Sequence, residues 1–383
     1  MGLAADHQPF PIDHSPFAVT FVHMKDTRVT NLARILTHYS VRAKSKELIA
    51  VDGTSEAEPL VLAVYEQLLR AGAFPVLRMA PREASEIFYR FGKAHHFDHV
   101  TAFQRLLVDQ LDGSIYIESS PNTRSLSGVD PRKQARVSRT SRPLREKMTK
   151  KKWCLTLFPT RAYAQDAEMS LSDFEDFVYR ATFADQKDPV AAWRALAQRQ
   201  QKLIRRLRGA RSVRIVGPDT DLTLSVEGRV FINSAGHHNM PCGEVFTGPV
   251  EDSAEGRIRF DYPVCHAGRE VDGVRLVFRK GRVVEASAEK NEKFLRAMLD
   301  MDPGARRLGE LGIGTNFGID RFIKNILFDE KIGGSIHLAV GQSYTETGGR
   351  NKSALHWDMI KDLRKGGALY VDGKVFQKDG RFV

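Results

Sequence analysis

The stretch SKELIAVDGTSEAEPLVLAVYEQLLRAGAFPVLRM, residues 45–79, predicts the fold of the first half of the chain. Within it, Ser45–Val51 ends in a short apolar run that meets a turn at Asp52-Gly53. Helical periodicity follows over Glu56–Leu69, and Phe74–Met79 predicts the next strand. A strand, a helix and a strand in this order are typical of a βαβ unit with parallel strands.

The same alternation continues along the chain. Helical patterns cover Glu83–Phe91 and Ala102–Leu111, whereas Ser114–Glu118 and Cys154–Phe158 predict strands. Strands separated by helices of this length favour an N-terminal α/β domain with a mainly parallel sheet. Neither of the glycine-rich phosphate-binding patterns follows the first strand, so we reject a nucleotide-binding interpretation of this domain.

A domain boundary is predicted between residues 185 and 186. Ser170–Asp173 resembles a capping box, and Asp188-Pro189 supplies the start of another helix. Beyond that helix, short β-rich segments alternate with glycine turns, and Asp372-Gly373 is a strong hairpin signal. We therefore expect an α/β domain in residues 1–185 and a mixed α+β domain in residues 186–383.

Composition indicates an intracellular globular protein. The chain has 383 residues, of which 42% are apolar and 27% charged, and no run approaches the roughly 18 apolar residues of a membrane helix. Residues 1–16 lack the pattern of a secretory signal, and Asp6 does not fit N-myristoylation. The three cysteines include no close pair, so we expect no disulfide framework and a cytoplasmic location.

The formal net charge of +11 is concentrated in part of the chain. Ten of the 21 residues from Arg132 to Lys152 are Lys or Arg, and a second cluster runs from Lys202 to Arg214. Such patches can bind nucleic acid by counterion release. No aromatic interleaving or zinc-finger spacing accompanies them, so we favour a solvated loop or helix face and expect no nucleic-acid partner.

The second half carries residues suited to a metal centre. His356 and Asp358 lie two residues apart in a strand-like stretch, so both side chains point to one face. Nitrogen and oxygen donors that converge in this way suit a divalent transition metal. The other candidate residues are Glu244, Glu310, Glu330, His337 and Tyr344. Together these residue types are what a two-metal hydrolytic site requires.

Each candidate also has an ordinary explanation. An isolated glutamate is most often a solvated surface carboxylate, and His337, in an apolar strand, could be a hydrogen-bonded core histidine. Glycines beside Glu244 and Glu310 instead predict loops that bring carboxylates to one place, which favours ligation. The His237-His238 pair lies in a polar loop and is given an accessory role at most.

The chain resembles the aminopeptidase T / aminopeptidase S family, also called the thermophilic metalloprotease family. The similar motifs are NMPCGEVFTGP (239–249), GELGIGTN (309–316), HLAVGQSY (337–344), TGGRNKSALHWD (347–358) and VDGKVFQKDGRF (371–382). By motif position, the resemblance implies that a pair of divalent metals is held by Glu244, Glu310, Glu330, His337, His356 and Asp358. It also implies that Tyr344 lies at the metals.

The resemblance implies an aminopeptidase that releases N-terminal residues from short peptides by means of a hydroxide activated by two metal ions. The donor set favours Zn or Co and admits Mn or Mg. We expect Glu310 to bridge the metals, and either Glu244 or Glu310 to carry the proton. The resemblance also implies a homodimer, and from the lack of a long apolar run we expect no membrane partner. The alternatives are another dinuclear metallohydrolase, acting on phosphoesters or non-peptide amides, and a nucleic-acid binder with a vestigial metal site.

Overall fold

The structure is a computed structural model, and it describes residues 26–81, 83–266 and 269–383. The predictions about signals in residues 1–16 therefore lie outside the described residues. The helices are α1 (Thr27–Arg34), α2 (Glu58–Arg70), α3 (Ala84–Phe91), α4 (Ala94–Phe97), α5 (Ala102–Gln110), α6 (Pro131–Met148), α7 (Arg161–Asp166), α8 (Leu171–Ala181), α9 (Pro189–Leu207), α10 (Glu292–Leu299) and α11 (Ile326–Asp329). The strands are β1 (Leu48–Thr54), β2 (Phe74–Ala80), β3 (Gly113–Glu118), β4 (Lys152–Leu157), β5 (Ser212–Gly217), β6 (Thr220–Ser225), β7 (Ile232–Ser234), β8 (Asn239–Met240), β9 (Glu244–Thr247), β10 (Glu255–Arg259), β11 (Val264–His266), β12 (Arg269–Val271), β13 (Arg275–Arg279), β14 (Arg282–Ser287), β15 (Leu308–Gly314), β16 (Ser335–Gly341), β17 (His356–Asp362), β18 (Ala368–Val371), β19 (Lys374–Lys378) and β20 (Arg381–Phe382).

The N-terminal sheet is parallel, with the strand order β2-β1-β3-β4-β8. The predicted βαβ unit is confirmed, because β1 and β2 pair side by side and α2 connects them. The predicted turn at Asp52-Gly53 is wrong, since both residues stay in β1 and pair with β2. A Cβ at Gly53 would lie 3.2 Å from the Val61 side chain, so this glycine lets α2 pack close to the strand.

The rest of the chain forms antiparallel sheets. One has the order β14-β13-β10-β6-β5-β18-β19-β20, another has the order β17-β16-β15-β9-β7, and β11 pairs with β12. These sheets confirm the predicted fold class, an α/β part with a parallel sheet followed by a mixed α+β part. The predicted hairpin between β18 and β19 is confirmed, and both Asp372 and Gly373 have the positive φ of a type I′ turn.

The predicted division between residues 185 and 186 stays a prediction. Strand β8 comes from beyond that division and pairs with β4 at the edge of the parallel sheet. The pairing of β4 with β8 therefore joins the two predicted parts of the chain, and β8 lies shortly before Glu244 in the sequence.

The face of β15, β16 and β17 that points inward packs against the larger antiparallel sheet. Leu311, Leu338 and Met359 are paired in register across the three strands, and all are buried in one cluster with Ile215 and Leu222. Successive side chains of a strand point to opposite faces. Residues one position away in each strand therefore point to the other face of this sheet, where the candidate ligands lie.

The basic segment is mostly helical and exposed. Helix α6 has no buried residue, which agrees with the predicted solvated helix face. Arg136 pairs with Asp98 and Lys147 with Asp109, so part of the positive charge is locally compensated. Among the described helices, none combines the length and the apolar character needed to cross a bilayer.

Candidate metal centre

The candidate ligands lie on one face of the sheet formed by β15, β16 and β17. Glu310 and Asp358 pair with the same residue, Ala339, from opposite sides. His337 precedes Ala339 by two positions, and His356 precedes Asp358 by two positions. Because the side-chain period of a strand is two, all four functional side chains share one face. The residue between the two carboxylates, Ala339, has a small side chain.

The prediction that glycine-flanked loops carry the carboxylates is wrong. Glu310 lies inside β15, and Glu244 is the first residue of β9. The glycine beside Glu244 does adopt a backbone that favours glycine, since Gly243 has a φ of 118°. Gly312 has a different role: it is paired with His337, and a Cβ there would lie 1.9 Å from Cε1 of the imidazole. This glycine provides space for a ring.

The donor atoms approach one another closely. Nε2 of His337 lies 3.5 Å from Oε1 of Glu310 and 3.6 Å from Oε2 of Glu244. Nε2 of His356 lies 3.4 Å from Oε2 of Glu310 and 3.4 Å from Oδ2 of Asp358. These residues form two groups, and within each group the donor atoms lie within 4.8 Å of one another. Glu310 belongs to both groups. The groups are Glu244, Glu310 and His337, and Glu310, His356 and Asp358.

Glu330 is also brought to this place. It forms a third such group with His337 and Asp358, again with donor atoms within 4.8 Å. It lies at the C-terminal end of α11. All six residues predicted as ligands therefore lie within this cluster of overlapping groups, although their role as ligands stays a prediction.

Burial leaves two carboxylate oxygens of this cluster without a hydrogen bond. The exposed fractions of Glu244 and Glu310 are 6% and 4%, so neither is a solvated surface carboxylate. Among the described residues, no hydrogen bond reaches Oε2 of Glu244 or Oδ1 of Asp358, and both atoms are buried. A buried carboxylate oxygen without a partner is costly unless a cation binds it. These residues fit divalent cations.

Each histidine is held with one nitrogen facing the carboxylates. Nδ1 of His337 donates to the backbone carbonyl of Glu330 at 3.0 Å, and Nδ1 of His356 donates to that of Gln342 at 2.9 Å. A backbone carbonyl on the far nitrogen fixes the tautomer and ring orientation of metal-binding histidines. The Nε2 atoms are therefore available as ligands.

The electrostatics of the cluster favour added positive charge. Burial lowers the pKa of His356, but the hydrogen bond and charge of Asp358 outweigh burial and raise this pKa to about 9. Burial raises the pKa of Asp358, and His356 more than reverses this, so that the pKa of Asp358 falls to about 2. Burial raises the pKa of Glu310. Such perturbed groups are typical of functional sites.

Tyr344 lies at the exposed side of the cluster. Its ring contacts the His356 ring edge-on, with centroids 5.3 Å apart, and also contacts Phe246. Partial burial and the charge of Glu310 raise the pKa of the Tyr344 hydroxyl, which is therefore a neutral hydrogen-bond donor at pH 7. A cavity of about 360 Å³ opens beside His356 and Asp358.

Sequence reasoning missed Lys331. Its side chain is 1% exposed, and Nζ lies 3.2 Å from Oε1 of Glu244 and contacts Oε1 of Glu330. In the sequence, the stretch Asp329-Glu330-Lys331 resembles an ordinary charged surface turn, and no local signal places it inside the protein.

The His237-His238 pair contacts Tyr39 and Trp153 instead of this cluster.

A family model described as thermophilic metalloprotease (M29) matches residues 25–382. The chain belongs to the thermophilic metalloprotease family. The family predicted from the motifs is therefore confirmed, and with it the enzyme class, a metalloprotease that uses a divalent metal.

Named members of the family are similar over most of the chain. Aminopeptidase 2 of Geobacillus stearothermophilus is 29% identical over 344 residues, which cover 82% of this chain and 83% of the relative. Aminopeptidase T of Thermus thermophilus is 30% identical over 298 residues, covering 67% and 72%. The solved structure of wild-type AmpT from Thermus thermophilus superposes with a TM-score of 0.82 at 26% identity, covering 93% of this chain and 99% of that chain.

Proposed function

We propose that the protein is a metal-dependent aminopeptidase that hydrolyses the N-terminal peptide bond of short peptides. The observation that carries this proposal is the pair of buried ligand groups that share Glu310 on one face of the sheet. Family relatives named aminopeptidase 2 and aminopeptidase T support the exopeptidase class.

The proposed centre contains two divalent ions. Glu244, Glu310 and His337 would hold one, and Glu310, His356 and Asp358 the other, with Glu330 as a further ligand. The donor set, rich in oxygen and containing two imidazoles, favours Zn or Co and admits Mn or Mg. Ions bound there would lower the pKa of a water molecule and polarise the scissile carbonyl.

The residues around the ligands supply the remaining chemistry. Either Glu244 or Glu310 would accept a proton and pass it to the leaving amine. The neutral hydroxyl of Tyr344 would donate to the oxygen on which negative charge develops. A cavity of about 360 Å³ beside His356 supports small substrates.

Two substrates test the reaction class. We expect the metal-loaded protein to hydrolyse leucyl-p-nitroanilide and to leave N-acetyl-leucyl-p-nitroanilide intact, because an exopeptidase of this kind binds the free amine. Equal rates on both substrates would contradict an aminopeptidase and indicate an amidase. Cleavage of a phosphodiester with no activity on any free-amine peptide would instead support the phosphoesterase alternative.

A substitution tests the shared ligand. Glu310→Gln keeps the size of the side chain and removes its charge, so we expect kcat/KM to fall by a factor of at least about 100 with an unchanged far-UV circular dichroism spectrum. Glu285→Gln, at an exposed position of β14, is the matched control and should keep wild-type activity. Activity in E310Q within tenfold of wild type would contradict the proposed bridge.

The proposal extends to the cytoplasm and to a homodimer. All three cysteines are free thiols, which supports a reducing compartment. Exposed apolar side chains on β2, α3 and α5, among them Phe74, Phe91 and Phe103, support a subunit interface there. Sedimentation equilibrium of the wild type and of Phe91→Asp would test this interface, since we expect the charged variant to dissociate.

A further inference from the structure

Lys331 is a buried cation that no part of the proposed reaction uses. Its side chain is 1% exposed, and lysine is almost never fully buried unless it is paired. Nζ lies 3.2 Å from Oε1 of Glu244 and also donates to Oε1 of Glu330. One ammonium group therefore binds two of the six candidate ligands.

The main chain of Lys331 is held by two backbone hydrogen bonds. The amide of Lys331 donates to the carbonyl of Phe328 at 2.9 Å, and its carbonyl accepts from the amide of Asn316 at 3.3 Å. The preceding residue, Glu330, accepts the Nδ1 hydrogen bond of His337. Two consecutive residues therefore control the orientation of three candidate ligands: Glu244 and Glu330 through the ammonium, and His337 through a carbonyl.

The contacts of Lys331 are unevenly distributed over the cluster. The ammonium contacts Oε1 of Glu244. The other oxygen, Oε2, has no hydrogen-bond partner among the described residues and lies 3.6 Å from Nε2 of His337. In the part of the chain that the structure describes, no ion pair or hydrogen bond joins Lys331 to His356 or Asp358.

We propose that Lys331 is a positioning residue for the metal position formed by Glu244, Glu310 and His337. It holds one oxygen of Glu244 so that the other oxygen is presented to the cation. None of the described ion pairs or hydrogen bonds joins Lys331 to Glu310, His356 or Asp358, so we expect the position formed by these three residues to depend less on the ammonium. This inference rests on the proposed two-metal centre. It adds that the metal affinity of one position depends on Lys331 more than the affinity of the other does.

The protein offers a matched control for the test. Lys361 is a second lysine whose side chain is 1% exposed, and its Nζ lies 3.1 Å from Oδ1 of Asp261 and 3.1 Å from the carbonyl of Pro218. It lies in β17 with partners outside the candidate ligand set. Lys361→Met therefore removes an equally buried ammonium that contacts no candidate ligand. It shows how much Zn²⁺ binding changes when any buried lysine is lost.

The experiment is a calorimetric titration of the metal-stripped full chain with Zn²⁺ alone, for the wild type, Lys331→Met and Lys361→Met. We expect two binding steps in the wild type. In K331M one step weakens by about 10–100-fold, the usual effect of losing a group that orients a metal ligand, and the other stays within about threefold. In K361M both steps stay within about threefold of the wild type.

The outcomes separate this inference from the proposed function. A wild type that binds no Zn²⁺ would contradict the metal centre itself. A wild type with two steps, together with a K331M in which both steps are unchanged, equally weakened or tightened, would overturn the role of Lys331 alone. If K331M fails to fold, Lys331→Gln, which keeps a donor and loses the charge, is titrated with the same expectations.

Discussion

At Gly312, strand β15 passes so close to the His337 imidazole that a methyl group has no space. We expect Gly312→Ala to weaken Zn²⁺ binding by at least about tenfold and to lower the free energy of unfolding by about 1–3 kcal/mol, because a Cβ 1.9 Å from the ring must displace it. Thermal unfolding and metal titration would measure both effects. Gly128→Ala is the control, since its Cβ meets nothing within 4 Å. Wild-type binding and stability in G312A would contradict this close approach.

The sequence predicted some residues of the cluster and missed another. His356 and Asp358 were predictable from the two-residue period of a strand, and Glu244, Glu310 and His337 from family motifs. Lys331 was not predictable, because its burial depends on contacts with Glu244, which lies far away in the chain. Local sequence carries no information about such a partner.

At the scale of elements, α8 shows a helix start that the sequence predicts. Oγ of Ser170 accepts a hydrogen bond from the amide of Asp173 at 3.1 Å, as the capping pattern requires. We expect Ser170→Ala to lower the free energy of unfolding by about 0.5–2 kcal/mol, measured by urea denaturation, with kcat/KM within twofold of wild type. Ser172→Ala, exposed in the first turn, should be neutral. An equal loss of stability in both variants would contradict a capping role for Ser170.

Several strands contain or adjoin glycines that the sequence analysis interpreted as turns or loops. Four strands of the parallel sheet and the turn between β18 and β19 were predicted within a few residues, but the turn predicted at Asp52-Gly53 is wrong, and Glu244 and Glu310 lie in strands instead of the predicted loops. At two of these places the glycine brings a neighbouring side chain close to a strand, Gly53 for Val61 and Gly312 for His337, whereas Gly243 beside Glu244 has an unusual backbone. Glycine indicates a need for space or for an unusual backbone, and only packing determines which of the two applies.

At the scale of the whole molecule, the two hydrophobic cores are built from side chains other than the candidate ligands. One large cluster packs between the antiparallel sheets, and a second surrounds the parallel sheet. We therefore expect EDTA to abolish activity while the far-UV circular dichroism spectrum at 25 °C stays unchanged. Zn²⁺ or Co²⁺ should restore activity and raise Tm, since a ligand at 100 times its Kd adds about 2.7 kcal/mol of stability.

The control is the same incubation with EDTA already saturated with Zn²⁺, which should leave activity intact because the chelator has no free capacity. A stripped protein that is unfolded at 25 °C would contradict the independence of the two cores from the metal. Activity that survives complete removal of divalent ions would contradict the metal-dependent reaction.

By itself the sequence determined the fold class, the family and the set of candidate ligands. Hydrophobic periodicity is a local property, and the motifs around Glu244, Glu310 and His356 are contiguous in the chain, so both can be read without coordinates. The tertiary structure alone decided which donors share a group, which glycine makes room for an imidazole, and that Lys331 lies inside the cluster. These are contacts between residues of distant strands, and their energies arise only when burial removes water and brings the charges together.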